Sequence, residues 1–149
     1  MNIVDIIEFQ KEKKTKVLLD TDLSEYKIWA KKHLELQIKL SNLAEETNCY
    51  KYWIDDSFSP DKGAIFKKYI DFLGYIFNFG LDKSYFNFNS VPFRQNDYCL
   101  SDQFLNLYVD INDLLVSSSE DHFLTLLEDT LSLGITLGYS EEEISTSFI

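Results

Sequence analysis

The chain has 149 residues, a formal net charge of −11, 15% aromatic residues, and only two prolines and five glycines. That length suits a single domain, 1–149, with a real core, and the scarcity of turn formers beside so many Phe and Tyr residues excludes a turn-rich β fold in favour of long, bulky-packed helices. The acidic balance argues against a nucleic-acid partner, two cysteines are too few for a disulfide framework, and no apolar run approaches the ~18 residues that span a bilayer, so a cytoplasmic protein with no membrane contact is expected.

Ile3, Ile6, Ile7 and Phe9 recur near helical spacing and predict a short first helix to about Lys13, with the cluster Lys11 to Lys16 as its solvated end. Asp5 and Glu8 within that pattern argue against a signal peptide. Asp22 and Glu25 form a capping pair, and a long helix runs from there to about Asn48. Its apolar face holds Tyr26, Trp29, Leu36, Leu40, Leu43 and Ala44, widened by Ile28, Leu34 and Ile38. Ser59-Pro60 fits the N-cap and first-turn positions of a helix over about Asp61 to Phe79, apolar around much of its circumference and stopped at Gly80. The Asn- and Phe-rich segment Asp82 to Asp97 reads as a loop. Helices follow over about Ser101 to Val116 and Glu120 to Leu137, separated by Ser117-Ser118-Ser119. Ser140-Glu141-Glu142-Glu143 is a capping box opening a last helix towards Ile149. The sum is an all-α bundle of about six helices.

One segment carries more than packing. Leu43-Ala44-Glu45-Glu46-Thr47-Asn48-Cys49-Tyr50-Lys51-Tyr52-Trp53, followed by Phe66-Lys67-Lys68-Tyr69-Ile70-Asp71, resembles the two halves of the active site of the all-α, dimeric dUTPase family, relatives of MazG-type nucleotide pyrophosphohydrolases. The resemblance implies the dimeric dUTPase core as the fold, a homodimer, and hydrolysis of a deoxyuridine nucleotide between its α and β phosphates. It also implies Mg²⁺, held by a Glu-x-x-Glu pair on one helix and a Glu-x-x-Asp pair on the next. A spacing of three puts both acids of each pair on one helical face, and Mg²⁺ takes oxygen ligands.

In the register set by that framework, the first pair falls on Lys39 and Asn42 and the second on Lys68 and Asp71. Only Asp71 is an acid. The four positions sum to a charge of +1, which repels a divalent cation, and Lys39 or Lys68 is expected to pair with Asp71 in its place. Two further departures point the same way. Gly74-Tyr75 stands where the family usually carries His-Phe. The segment Leu137 to Ile144 resembles the family's approach to its last helix, but the chain stops before the nucleotide-contacting residues that the resemblance implies beyond it.

The first functional reading is therefore a dUTPase-like protein with a degraded metal site, a pseudoenzyme that binds a protein partner such as a repressor or host factor. Some phage and mobile-element members of the family resemble such a case. No cofactor is expected under this reading. The alternative is an active Mg²⁺-dependent dUTP or dUDP hydrolase, with Glu46 and Asp71 as catalytic and metal-binding acids, Glu35 assisting, and Glu45 available to a shifted site. A third reading is a metal-free nucleotide sensor in which Lys39, Lys51, Lys67 and Lys68 hold phosphate as point charges, Lys67 suiting a solvated helix face equally well, and Tyr52 and Trp53 hold the base. For Lys51, Tyr52 and Trp53 a second view stays open, a helix end whose Trp fills the core. Glu35 and Lys39, four apart, equally suit a surface ion pair. His33, His122 and Cys49 read as structural, since none has a metal-ligand or nucleophile spacing.

Overall fold

A computed structural model describes residues 1–13 and 18–149; Lys14 and Lys16, in the expected basic helix end, lie outside the described residues. Six helices occur among them: α1 (Val4–Lys13), α2 (Glu25–Thr47), α3 (Lys62–Lys83), α4 (Leu100–Val116), α5 (Glu120–Thr136) and α6 (Glu141–Thr146). The all-α expectation holds, with a single isolated antiparallel bridge, Asn2 to Ser90, as the β structure among the described residues.

Local chemistry sets the helix ends, not always where the sequence suggested. Asp22 does not cap α2. Its N–H is taken by Asp20 at 2.9 Å, and Ser24 is the cap, accepting from the Lys27 N–H at 3.1 Å. Asp61, not Ser59, caps α3, accepting from the Ala64 N–H at 3.0 Å. The α2 helix stops at Asn48, whose φ of 54° is the left-handed conformation that Asn tolerates. Ser140 caps α6 as expected, accepting from the Glu143 N–H at 3.1 Å, but that helix ends at Thr146 instead of running to Ile149.

Four helices form a ring: α2 packs on α3 and α4, and α5 closes it by packing on both of those. The α1 helix lies against α3. Tyr69, Phe72, Phe77 and Phe123 are fully buried in this ring. Because α2 touches only two neighbours in it, its buried stripe is narrow: His33, Leu36, Leu40 and Leu43. Tyr26, expected on that face, and Leu34 and Ile38, expected to widen it, are exposed instead.

Gly80 does not stop α3, which runs on to Lys83 and is capped by Ser84 at φ 57°. The glycine serves packing: a Cβ there would lie 2.7 Å from the Phe86 ring and overlap Phe123. Gly134 on α5 has the same role towards Tyr69, whose ring carbon would sit 2.7 Å from an added Cβ. The Tyr69 hydroxyl, fully buried and held far above its ordinary pKa by desolvation, donates to the Thr130 carbonyl at 2.9 Å and cannot retreat. Gly134→Ala is therefore expected to lower unfolding stability by about 1–3 kcal/mol, the usual cost of overpacking. Chemical denaturation measures it; an unchanged midpoint would mean that the Tyr69 site can relax.

Candidate functional site

The α2 and α3 helices run antiparallel, and polar links tie them along their length. Lys32 Nζ meets Asp82 Oδ2 at 2.9 Å, and the Tyr75 hydroxyl donates to the Glu35 carboxylate. Lys39 Nζ donates to Asp71 Oδ2 at 2.9 Å, and Lys68 Nζ donates to Glu46 Oε2 at 3.0 Å. On α2 the partners recur at intervals of three, four and seven residues, which keeps them on one helical face. At the Lys32 end the contact is reinforced by aromatic packing: Trp29 meets Phe79 edge-on at 5.4 Å, and Lys83 Nζ lies 3.8 Å from the Trp29 ring centre.

Of the four positions that the resemblance assigns to metal ligands, Lys39, Lys68 and Asp71 have their partners on this seam. Lys39 takes Asp71, while Lys68 takes Glu46 and not Asp71. Asn42, one turn before Glu46, is exposed. These side chains fail as a Mg²⁺ cage. Two of the four are ammonium groups, one is a neutral amide, and the single carboxylate already accepts from an ammonium. Among the described residues, no group of three or more His, Cys, Asp or Glu side chains is placed to hold a metal ion. The pairs are partly solvated, so each adds at most about 1 kcal/mol to stability. Their chemical effect is larger, since the Asp71 and Glu46 carboxylates, which could attract Mg²⁺, each meet an ammonium group.

Tyr75, at the position of the family's His-Phe, supplies the Glu35 link. Partial burial and the neighbouring carboxylate both raise its hydroxyl pKa, so it stays protonated and donates. Glu35 thus bonds Tyr75 across the interface and does not pair with Lys39 on its own helix.

After α2 the chain turns into an aromatic loop. Lys51 Nζ donates to Asp55 Oδ2 at 2.7 Å; this bond and one from Ser57 hold the Asp55 carboxyl down at about 2. Tyr52 is 94% exposed and Trp53 49% exposed, so Trp53 does not fill the core. Their rings meet edge-on at 5.0 Å. Tyr50, Lys51 and Tyr52 border a cleft of about 770 Å³ whose other wall is Phe104, Leu105 and Tyr108 of α4. Across it Ser41 and the Tyr108 hydroxyl share a hydrogen bond of 2.5 Å. The cleft lies on the α4 side of α2, whereas the seam of ion pairs lies on the α3 side.

One pair of acids escaped the sequence reading. Asp110 of α4 is buried beside Asp129 of α5, and Asp129 accepts from Asn106 at 2.9 Å. Burial first, then the Asp129 and Asp113 charges, push the Asp110 carboxyl up from 3.8 to about 9. It is therefore protonated at neutral pH and can donate to Asp129. A signal was present in the sequence: Asp110 stands three after Leu107 and four before Leu114, on the buried stripe of α4. The other acids that sequence reasoning proposed, Glu35, Glu46 and Asp71, all lie on the seam, while Glu45 faces the cleft.

A family model described as dUTPase matches residues 2–149. No curated protein and no solved structure matches the chain. The match covers nearly every residue, and the six helices among the described residues fit the expected all-α bundle. The chain belongs to the all-α, dimeric dUTPase family.

Proposed function

We propose that this protein is a dUTPase-family member whose metal site has been converted to salt bridges, and that it acts by binding a protein partner instead of hydrolysing dUTP efficiently. The observation that carries the proposal is the 2.9 Å contact between Lys39 Nζ and Asp71 Oδ2. An ammonium there supplies the positive charge that an ion would bring, but none of its Lewis acidity towards phosphate or water. Hydrolysis by Glu46 and Asp71 would require both acids to leave their lysines and gather a cation with no third carboxylate beside them. The partner class, a repressor or host factor of the phage or mobile-element kind, comes from the family resemblance. The exposed Tyr50, Tyr52, Trp53 and Ile54 are the sort of aromatic surface that such contacts use.

With dUTP and Mg²⁺, release of pyrophosphate or phosphate is expected to stay at background. Turnover that disappears in Asp71→Ala would overturn the proposal. Exposed Tyr52 and Trp53 rings favour one second reading, a metal-free deoxyuridine nucleotide sensor in which the base stacks on these rings and Lys39, Lys51 and Lys68 meet the phosphates. Thermal stabilisation by dUMP without divalent ions supports that reading, and no shift at high dUMP removes it.

A further inference from the structure

We infer that the cleft between the end of α2 and the start of α4 receives a basic segment of the protein partner, with a lysine or arginine side chain lodged among its aromatic walls against Glu45. The inference rests on the partner-binding reading above and adds the place and the chemistry of the contact.

Local sequence builds the cleft. Asn48 ends α2 in the left-handed conformation, and the chain that leaves it lays Tyr50, Lys51 and Tyr52 along one wall. Phe104, Leu105 and Tyr108 form the other, their spacings of three and four keeping them on one side of α4. The hydrogen bond between Ser41 and Tyr108 ties the two helices together across it. Tyr50 and Tyr52 each meet the Trp53 ring edge-on, at 6.3 and 5.0 Å, so the three rings brace one another at the surface instead of sinking into the core. At about 770 Å³ the cleft is in the size range that takes a ligand of many atoms. Its rim is open, with Leu105 65% and Tyr50 53% exposed beside the almost wholly exposed Tyr52. A small free molecule would leave most of that rim in water, whereas a chain segment crossing the cleft covers it.

Charge selects the segment. Two charged side chains line the cleft, and one is already engaged. Lys51 Nζ donates to Asp55 at 2.7 Å and lies 5.8 and 5.6 Å from the Trp53 and Phe58 ring centres. Glu45 is exposed and has no ion-pair partner among the described residues. Asp102, next to the lining Ser101, is exposed as well. With Lys51 balanced by Asp55, the cleft offers an incoming group a carboxylate and the faces of tyrosine rings, both of which attract cations. A phosphate or carboxylate would be repelled by Glu45. Lysine and arginine match both parts of the surface, since the stem packs on Phe104 and Leu105 while the head meets Glu45. The net charge of −11 draws a basic partner from a distance, and the cleft gives it a specific seat. Because the cleft is on the α4 side of α2, the partner leaves the Lys39–Asp71 contact untouched.

Calorimetric titration of the full chain with the peptide acetyl-Leu-Phe-Arg-Leu-Tyr-amide, and with the same peptide carrying neutral citrulline for arginine, tests this. The arginine peptide is expected to bind with a dissociation constant of about 0.1–1 mM, the scale of one charge-assisted contact and a few apolar ones. Citrulline is expected to weaken binding about 10-fold, and so is Glu45→Gln. Tyr52→Ala is expected to weaken it about fivefold. Both replaced side chains are exposed, so the helical circular dichroism should not change. Glu142→Gln removes an equal charge from an exposed position that does not line the cleft, and is expected to leave the affinity unchanged. No saturable heat up to several millimolar arginine peptide overturns the inference. Equal affinities for arginine and citrulline overturn the cation, and equal losses in Glu45→Gln and Glu142→Gln overturn the cleft as its seat. These failures are distinct from failure of the proposed function, which dUTP turnover that disappears in Asp71→Ala would overturn whatever the peptide does.

Discussion

Changing Lys39, Asn42 and Lys68 together to glutamate is expected to create a divalent-metal site, and the unchanged chain is expected to bind no divalent ion at these positions. The three replacements convert a set with a net charge of +1 into four carboxylates. They fall three apart on each of two facing helices, the arrangement hard cations take. The two helices are already held side by side at these positions by the 2.9 Å and 3.0 Å ion pairs, so the backbone need not be rebuilt. Without metal the variant is expected to melt below wild type, because the new carboxylates repel one another and Asp71 and Glu46 lose their lysines. With Mn²⁺ at about 100 times its dissociation constant, binding returns about 2.7 kcal/mol, a rise of about 5–10 °C for a domain of this size. The wild-type melting temperature is expected not to move with Mn²⁺. Equal responses from the two proteins would mean that Lys39 and Lys68 do not govern cation access. A triple variant that binds metal but leaves dUTP intact would place a further requirement outside these four positions.

Asp110→Asn is expected to stabilise the protein at neutral pH. The Asp110 carboxyl is raised from 3.8 to about 9 by burial, by its hydrogen bond to Asp129, and by the Asp129 and Asp113 charges. A raised carboxyl favours the folded state only while the unfolded chain keeps its proton too. That stability is complete below about pH 3.8 and is lost progressively as pH climbs towards 9. Asparagine holds two N–H donors with no proton to lose, so it keeps the bond to Asp129 across this range. The gain should be near zero at pH 4 and grow to about 2 kcal/mol at pH 7, well under the limit of about 1.4 kcal/mol per unit that linkage allows. In melting temperature that is about 4–8 °C. Denaturation of both proteins between pH 4 and 8 measures it. A variant less stable than wild type at pH 7, or a gain independent of pH, would mean that Asp110 is ionised in the fold.

Much of the fold was legible because helices announce themselves by spacing. Leu36, Leu40 and Leu43, and the crowd of apolar residues on α3, are buried as their periodicity required. Side chains on the rim of a stripe were not legible. Leu34 and Ile38 look like core at helical spacing, and only the ring geometry, with two neighbours for α2, leaves them outside. Gly80 reads locally as a helix stop, yet its reason for being glycine is the distant Phe123 ring, forty-three residues on. Trp53 is uncommitted by sequence because the direction of a loop side chain depends on the turn that follows Asn48. In the candidate site, Lys39 and Lys68 could be read as standing where the resemblance implies glutamates. Their choice of partners could not. Whether Lys68 reached Asp71 or Glu46 depended on which helical turn faced which, and the antiparallel register gave it Glu46.

In the proposed function, ammonium groups take the place of a cation between α2 and α3. Crystals of the wild-type protein soaked in Mn²⁺, with the anomalous signal measured, test it most directly. No ordered ion is expected on the seam, with Lys39 still on Asp71 and Lys68 still on Glu46. A well-coordinated ion with Asp71 and Glu46 oxygens at about 2.1 Å, and both lysines swung away, would contradict it.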